Sequence, residues 1–167
     1  MISVSRVRVI ALGNRHASDD GAALRAADAL EGQQVVPAGR PGAGLLDLLA
    51  AEGPIVLVDV IRSGAAPGSI VQLSLSELAR AAVSGAPVSS HGFGAGEALE
   101  LGHALGRPLP DGCFVGIEGS RFEPGDRLSP PVEAALPALV AALREAVRKA
   151  TGGIAEELRG AAGRYGA

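Results

Sequence analysis

The chain has 167 residues, of which 47% are hydrophobic and 20% are charged, and its formal net charge is −3. This length suits one domain, because a chain of about 150 residues buries roughly 70% of its extended surface. The slight negative charge offers no basic surface for nucleic acid, and no apolar run approaches the roughly 18 residues that span a membrane. We therefore expect a soluble protein of the cytoplasm, with neither nucleic acid nor membrane as a partner.

The first part of the chain alternates apolar runs with segments of helical spacing. The first run is β-branched and ends at Gly13-Asn14, as expected of a strand buried on both faces. The acidic pair Asp19-Asp20 precedes the first helical segment, where a helix favours negative charge. The predicted elements here are a strand over 4–12, a helix over 22–30, a short strand over 34–37, a helix over 45–50 and a strand over 55–61.

The second part repeats this alternation after a turn at Ala66-Pro67-Gly68. Ser76 is the predicted N-cap of a helix that continues to Val83. The other predicted elements are a short strand over 69–73, a helical face within 92–106, a strand over 112–118 and an amphipathic helix over 132–149. The Gly- and Ala-rich tail 151–167 is interpreted as a short helix or a disordered segment.

Strands that alternate with helices predict an α/β fold. We expect a three-layer sandwich, in which helices flank both faces of a mainly parallel twisted sheet, with residues 1–150 forming a single domain. The single cysteine, Cys113, excludes an internal disulfide. In such folds ligands bind at the carboxyl ends of the strands, which directs attention to the polar residues there.

Four such residues lie at or after predicted strands. Asp19 and Asp20 follow the first strand, Asp59 lies toward the end of the third, and His91 opens a later helix. Two carboxylates and an imidazole brought together would make an open three-ligand site for a borderline divalent ion. In the alternative interpretation, Asp19 caps a helix, Asp59 pairs with an arginine such as Arg62, and His91 caps the helix that it begins.

Two other classes of site have weaker support in the sequence. Ser18, Asp59 and His91 occur in the chain order of an α/β-hydrolase triad, but there is no G-x-S-x-G elbow. The Gly13-Asn14 turn lacks the further glycines and the lysine of a nucleotide-binding loop. A small-molecule hydrolase that uses Ser18 and His91 stays open as a third hypothesis.

Several short motifs occur together in a fixed order from about residue 7 to residue 148. They are Leu12-Gly13-Asn14, Asp19-Asp20-Gly21, Val58-Asp59, Ala66-Pro67-Gly68, Ser90-His91, Val115-Gly116-Ile117-Glu118, Glu123-Pro124-Gly125 and Leu128-Ser129-Pro130. In this order they resemble the hydrogenase maturation endopeptidases, which process the large subunit of nickel-iron hydrogenases. The resemblance implies a twisted parallel sheet sandwiched by helices.

The resemblance also implies a function and a site. The protein would remove the C-terminal extension of a nickel-iron hydrogenase large-subunit precursor after nickel insertion. Asp20, Asp59 and His91 would form the catalytic and metal-binding set. The nickel would be carried by the substrate, so no permanently bound cofactor is expected. The alternative is a non-catalytic, metal-dependent binding or assembly protein for such a precursor.

This sequence departs from the family pattern around the implied ligands. Ala11 replaces a usual glycine, Arg15-His16-Ala17-Ser18 replaces bulky apolar residues, and Gly92-Phe93-Gly94 follows the histidine where a polar residue is common. These changes keep the three implied ligands and alter the rim around them. The identity of the general base and of the hydrogenase partner stays open.

Overall fold

A computed structural model describes residues 7–85 and 94–164, and it confirms the predicted three-layer α/β architecture. Within these ranges the strands form one sheet of order β2-β1-β3-β5-β4, in which β4 is antiparallel to β5 and the other pairs are parallel. The strands are β1 (Arg8–Leu12), β2 (Gln34–Gly39), β3 (Ile55–Ile61), β4 (Ile70–Ser74) and β5 (Gly112–Glu118).

Helices cover both faces of this sheet. They are α1 (Ala22–Asp28), α2 (Leu45–Leu49), α3 (Leu75–Val83), α4 (Ala95–Ala104) and α5 (Pro130–Arg164). The side chains of β3 alternate between two apolar clusters, because successive residues of a strand point to opposite faces. Val56, Val58 and Val60 pack with α1 and α5, whereas Ile55, Leu57 and Ile61 pack with α2, α3 and α4.

The order of the strands reverses between β1 and β3. The chain passes from β1 to its neighbour β2 and then crosses back to place β3 on the other side of β1. In doubly wound sheets, the crevice outside the carboxyl ends of two such strands is the usual place for a ligand. The residues that follow β1 and end β3 therefore converge on the site predicted from the sequence.

Two local predictions were wrong. Ser74, not Ser76, is the N-cap of α3: the Glu77 N–H donates to Ser74 Oγ over 3.1 Å, and the Ser74 N–H donates to the Glu77 carboxylate over 2.7 Å. The helix begins earlier because it starts at the end of β4. The last helix continues to Arg164 instead of ending at Lys149, and Gly152 and Gly153 lie within it.

The first predicted strand, 4–12, begins outside the described residues, and the structure has β1 from Arg8. None of the described helices combines the length and the hydropathy that are needed to cross a bilayer.

Candidate functional site

The loop after β1 folds back on itself so that two acids become buried. The Asn14 N–H donates to the Asp20 carbonyl over 3.2 Å, and the Asp20 N–H donates to the Ala17 carbonyl over 3.1 Å. Gly13 has φ 119°, and a Cβ there would lie 2.0 Å from the Asp20 carbonyl oxygen. Only glycine fits this contact, since any side chain would push the loop away. The loop thereby presents Asp19 and Asp20 on a 3-10 turn at Ser18–Gly21.

Asp19 binds the start of α5 and does not cap the helix that it precedes. Its carboxylate accepts from the Ser129 N–H over 2.6 Å and the Ser129 hydroxyl over 2.8 Å, and from the N–H groups of Ser120 and Arg121 over 2.8 and 2.9 Å. Burial disfavours the charged form, but the hydrogen bonds from Ser120, Ser129 and Arg121 together hold the pKa of Asp19 below its usual value. Asp19 is thus an ionised structural acid.

Asp20 is fully buried and faces an arginine that the sequence analysis missed. Nε and Nη2 of Arg40 both donate to Oδ2 of Asp20, over 3.0 and 2.6 Å. Arg40 directly follows β2, which pairs with β1, so the ion pair crosses from one strand end to the next. The arginine side chain is 44% exposed, whereas that of Asp20 is 0% exposed. Local spacing could not reveal this pair, because its partners are distant in the chain.

Asp59 lies inside β3, on the face that packs against α2, α3 and α4, and it is 3% exposed. Burial raises its pKa to about 7. The negative charges of Asp20 and, to a smaller extent, Glu97 also raise this pKa. A hydrogen bond of 2.7 Å from the Val60 N–H and the positive charge of Arg40 lower it. Arg62, the partner considered for Asp59, instead lies with its guanidinium carbon 4.2 Å from the Phe122 ring centroid.

The structure therefore places two of the three predicted ligands, Asp20 and Asp59, near enough to interact electrostatically. Asp20 lies in the loop after β1 and Asp59 in the neighbouring strand β3; both are buried, and the charge of Asp20 raises the pKa of Asp59. His91 lies outside the described residues. Within 7–85 and 94–164, no three His, Cys, Asp or Glu residues are grouped to hold a metal ion.

Asp20 and Asp59 are the described residues that could contribute to binding a cation. Carboxylate oxygens are suitable ligands for divalent ions. A buried carboxylate that stays charged also needs nearby positive charge, because an uncompensated buried charge is costly. The Arg40 guanidinium now supplies that charge at Asp20.

An open groove of about 400 Å³ lies at the carboxyl ends of β1 and β2 and reaches Arg40, the ion-pair partner of Asp20. It is lined by Gly13, Asn14, Arg15, His16, Leu24, Pro37, Gly39 and Arg40. Arg15 at its rim makes two hydrogen bonds with Asp28, over 2.7 and 2.9 Å, and His16 Nδ1 lies 2.9 Å from a carboxylate oxygen of Asp126. Two residues of the altered loop 15–18, Arg15 and His16, therefore line the groove, and each lies beside an acid.

Ser18, the nucleophile of the hydrolase hypothesis, is buried. Its hydroxyl donates to the Glu123 carbonyl over 2.8 Å, and its φ of 51° belongs to the left-handed region. Its main chain is held as well, since the Ser18 N–H donates to the Gly125 carbonyl over 2.8 Å. This environment ties two loops together and does not present the hydroxyl to a substrate.

The fold and the site together define a class: three-layer α/β proteins with buried carboxylates where the strand order reverses. The family model described as hydrogenase maturation protease (HycI) matches residues 22–146. The chain belongs to the hydrogenase maturation protease family, as the sequence motifs indicated, and this family is one of peptidases.

Solved structures agree with this assignment. The chain is 31% identical to the [NiFe] hydrogenase maturation protease HybD from Thermococcus kodakarensis, with a TM-score of 0.69, over 84% of this chain and 97% of that one. Its fold also matches the hydrogenase maturating endopeptidase HybD from E. coli, with 24% identity and a TM-score of 0.72, over 86% of this chain and 93% of that one. Comparison with curated proteins gives no match.

Proposed function

We propose that this protein is an endopeptidase that removes the C-terminal extension of a nickel-iron hydrogenase large-subunit precursor after nickel has been inserted. The observation that carries the proposal is the pair of buried acids, Asp20 and Asp59, at the reversal of strand order. Membership of the hydrogenase maturation protease family supports the substrate class. We further propose that it acts in the cytoplasm, without a nucleic-acid partner, as the net charge of −3 favours.

In this proposal the nickel belongs to the substrate, and the protein has no resident cofactor. Asp20, Asp59 and His91 bind the nickel that the precursor already holds. This contact fixes the scissile region beside the site, and the cation polarises the peptide carbonyl or a water molecule. A precursor without nickel lacks the group that the acids recognise, so cleavage is confined to loaded precursor.

Binding of the substrate's nickel would explain why two acids are buried at this place in the sheet. Two carboxylates in a core cost stability unless a cation compensates them. At Asp20 an arginine whose side chain is 44% exposed provides that charge. These features are expected of a site that binds a cation carried by its substrate.

The test is mass spectrometry of the C-terminus of a purified precursor, loaded with nickel or left without it. Wild-type protein should shorten loaded precursor only. Asp20→Asn should cleave at least about a hundredfold more slowly, since losing a metal ligand costs at least as much as losing a group that orients one. Asp47→Asn, at an exposed acid of α2, is the matched control and should cleave as the wild type does.

An unchanged C-terminus with loaded precursor from the same organism would refute the peptidase activity. If the protein nevertheless bound that precursor, and bound it only with nickel, the result would favour an assembly protein. Equal cleavage of loaded and nickel-free precursor would refute recognition of the metal.

A further inference from the structure

Arg40 holds one of the two carboxylate oxygens of Asp20, an acid that the proposed function assigns to the nickel of the precursor. Two of its nitrogen atoms converge on Oδ2 alone, over 2.6 and 3.0 Å, from a side chain that is 44% exposed and lines the groove. Its main chain is anchored beside the β1 loop, because the Gly13 N–H donates to the carbonyl of the preceding residue, Gly39, over 2.9 Å. The guanidinium therefore bridges the end of β2 and the acid that follows β1.

We propose that Arg40 is a specificity-determining residue that occupies Asp20 until the substrate's nickel replaces it, and so lowers the affinity of the site for free divalent ions. This inference rests on the proposed function, since it assigns Asp20 to the nickel of the precursor. It adds a competitor for that acid within the protein itself.

Competition follows from charge and geometry. A guanidinium is always protonated in proteins, so it cannot yield to a metal by losing a proton. Two cations that share one carboxylate oxygen repel each other strongly at short range. The arginine must therefore leave Oδ2 when a metal ion binds there.

The groove provides the place to which Arg40 moves. The side chain is already half in solvent and borders an open volume of about 400 Å³, so leaving Asp20 requires no repacking of the core. A free ion at low concentration does not offset the loss of the ion pair, so it displaces Arg40 only at high concentration. A metal ion delivered on the precursor offsets that loss, because contacts between the two proteins add to its binding.

The test uses calorimetric titration of the full chain with cadmium chloride, in the absence of precursor. Arg40→Ala should bind cadmium about tenfold more tightly than the wild type, because a charge-assisted hydrogen-bonded pair no longer has to be broken. Arg40→Lys retains the positive charge and should stay close to the wild type. Arg15→Ala is the matched control, since Arg15 lines the same groove but pairs with Asp28.

A double variant identifies the acid that is involved. Asp20→Asn in the Arg40→Ala background should abolish the tenfold gain if the gained affinity arises at Asp20. Equal or weaker cadmium binding by Arg40→Ala, or a gain that persists with Asp20→Asn, would overturn the inference.

The two proposals fail separately. Cleavage of nickel-loaded precursor, with no gain in cadmium affinity for Arg40→Ala, would keep the proposed function and overturn the role of Arg40. The gain without any cleavage would keep the competition between Arg40 and metal and overturn the peptidase activity.

Discussion

Ser129 donates both its main-chain N–H and its hydroxyl to the carboxylate of Asp19, over 2.6 and 2.8 Å. The first turn of α5 begins at the next residue, so these bonds join the loop after β1 to the longest helix of the described chain. Asp20, the candidate nickel ligand, is the next residue after Asp19. Two adjacent acids thus have different tasks: one fixes the loop and the other faces the site.

Asp19→Asn should lower the free energy of unfolding by about 3 kcal/mol, because Asn would place an amide donor against donors in a buried position. Chemical denaturation at pH 7 measures the change. Asp28→Asn, at an exposed acid paired with Arg15, should cost less than about 1 kcal/mol. Similar losses for the two variants would show that the Asp19 network is not the stabilising one.

The same acid has a pH signature. Because its pKa is lowered on folding, Asp19 contributes stability that is present above its unfolded pKa and is lost as pH falls through its folded pKa. The difference in stability between the wild type and Asp19→Asn should therefore shrink in acid, below about pH 4. A difference that stays constant down to pH 2 would contradict the ionised state of Asp19.

The pKa of Asp59 shifts in the opposite direction to that of Asp19, so its effect on stability has the opposite dependence on pH. Its pKa rises to about 7 on folding, so the stability present below its unfolded pKa is lost as pH rises toward 7. Asp59→Asn keeps an oxygen for the Val60 N–H and removes the buried charge. The free energy of unfolding of Asp59→Asn minus that of the wild type should therefore increase by about 3 kcal/mol from pH 5 to pH 8 in metal-free buffer.

Glu52→Gln is the control for this comparison, since it changes an exposed acid. It should leave the shape of the stability curve unchanged over the same range. Parallel curves for wild type and Asp59→Asn would mean that Asp59 is ionised in the folded protein throughout.

The N-cap of α3 provides a matched pair of serines. Ser74→Ala should cost about 1 kcal/mol, because the Glu77 N–H loses its side-chain acceptor. Ser76→Ala removes a hydroxyl that lies 3.0 Å from Ser74 Oγ and accepts no helix N–H in the described hydrogen bonds, and it should cost clearly less. Thermal unfolding of the two variants checks the assignment, and a larger loss for Ser76→Ala would reverse it.

Ser18→Ala should still cleave nickel-loaded precursor, because the Ser18 hydroxyl is buried and donates to the Glu123 carbonyl. The lost hydrogen bond should cost about 1 kcal/mol of stability. Cleavage assays and denaturation separate the two effects. Labelling of Ser18 by a serine-directed inhibitor, with loss of activity, would support the hydrolase hypothesis instead.

Much of the fold could be predicted because its core strands carry the information locally. Ile55–Ile61 and Gly112–Glu118 are apolar runs that are bounded by turn residues, and the structure has them with the predicted limits. The end of α5 was harder to predict from the sequence. Glycines usually weaken helices, and Gly152-Gly153 indicated an end that the structure does not have.

The site could be predicted only in part, for a different physical reason. The rule that ligands bind at the carboxyl ends of strands pointed to Asp20 and Asp59, and the structure shows that both are buried, whereas their role as ligands stays a prediction. The ion pair of Asp20 with Arg40 depends on β2 lying beside β1, and the raised pKa of Asp59 depends on packing from several elements. Contacts between residues that are distant in the chain cannot be predicted from the spacing of residues within one segment. His91 stays a prediction, outside the described residues.

Anomalous diffraction from crystals of the wild-type protein soaked in millimolar cadmium tests the central claim most directly. The account predicts one ion bound jointly by Asp20, Asp59 and His91, with Arg40 moved from Asp20 into the groove. Crystals in which Arg40 still binds Asp20, and in which no ion is shared by these three side chains, would contradict it.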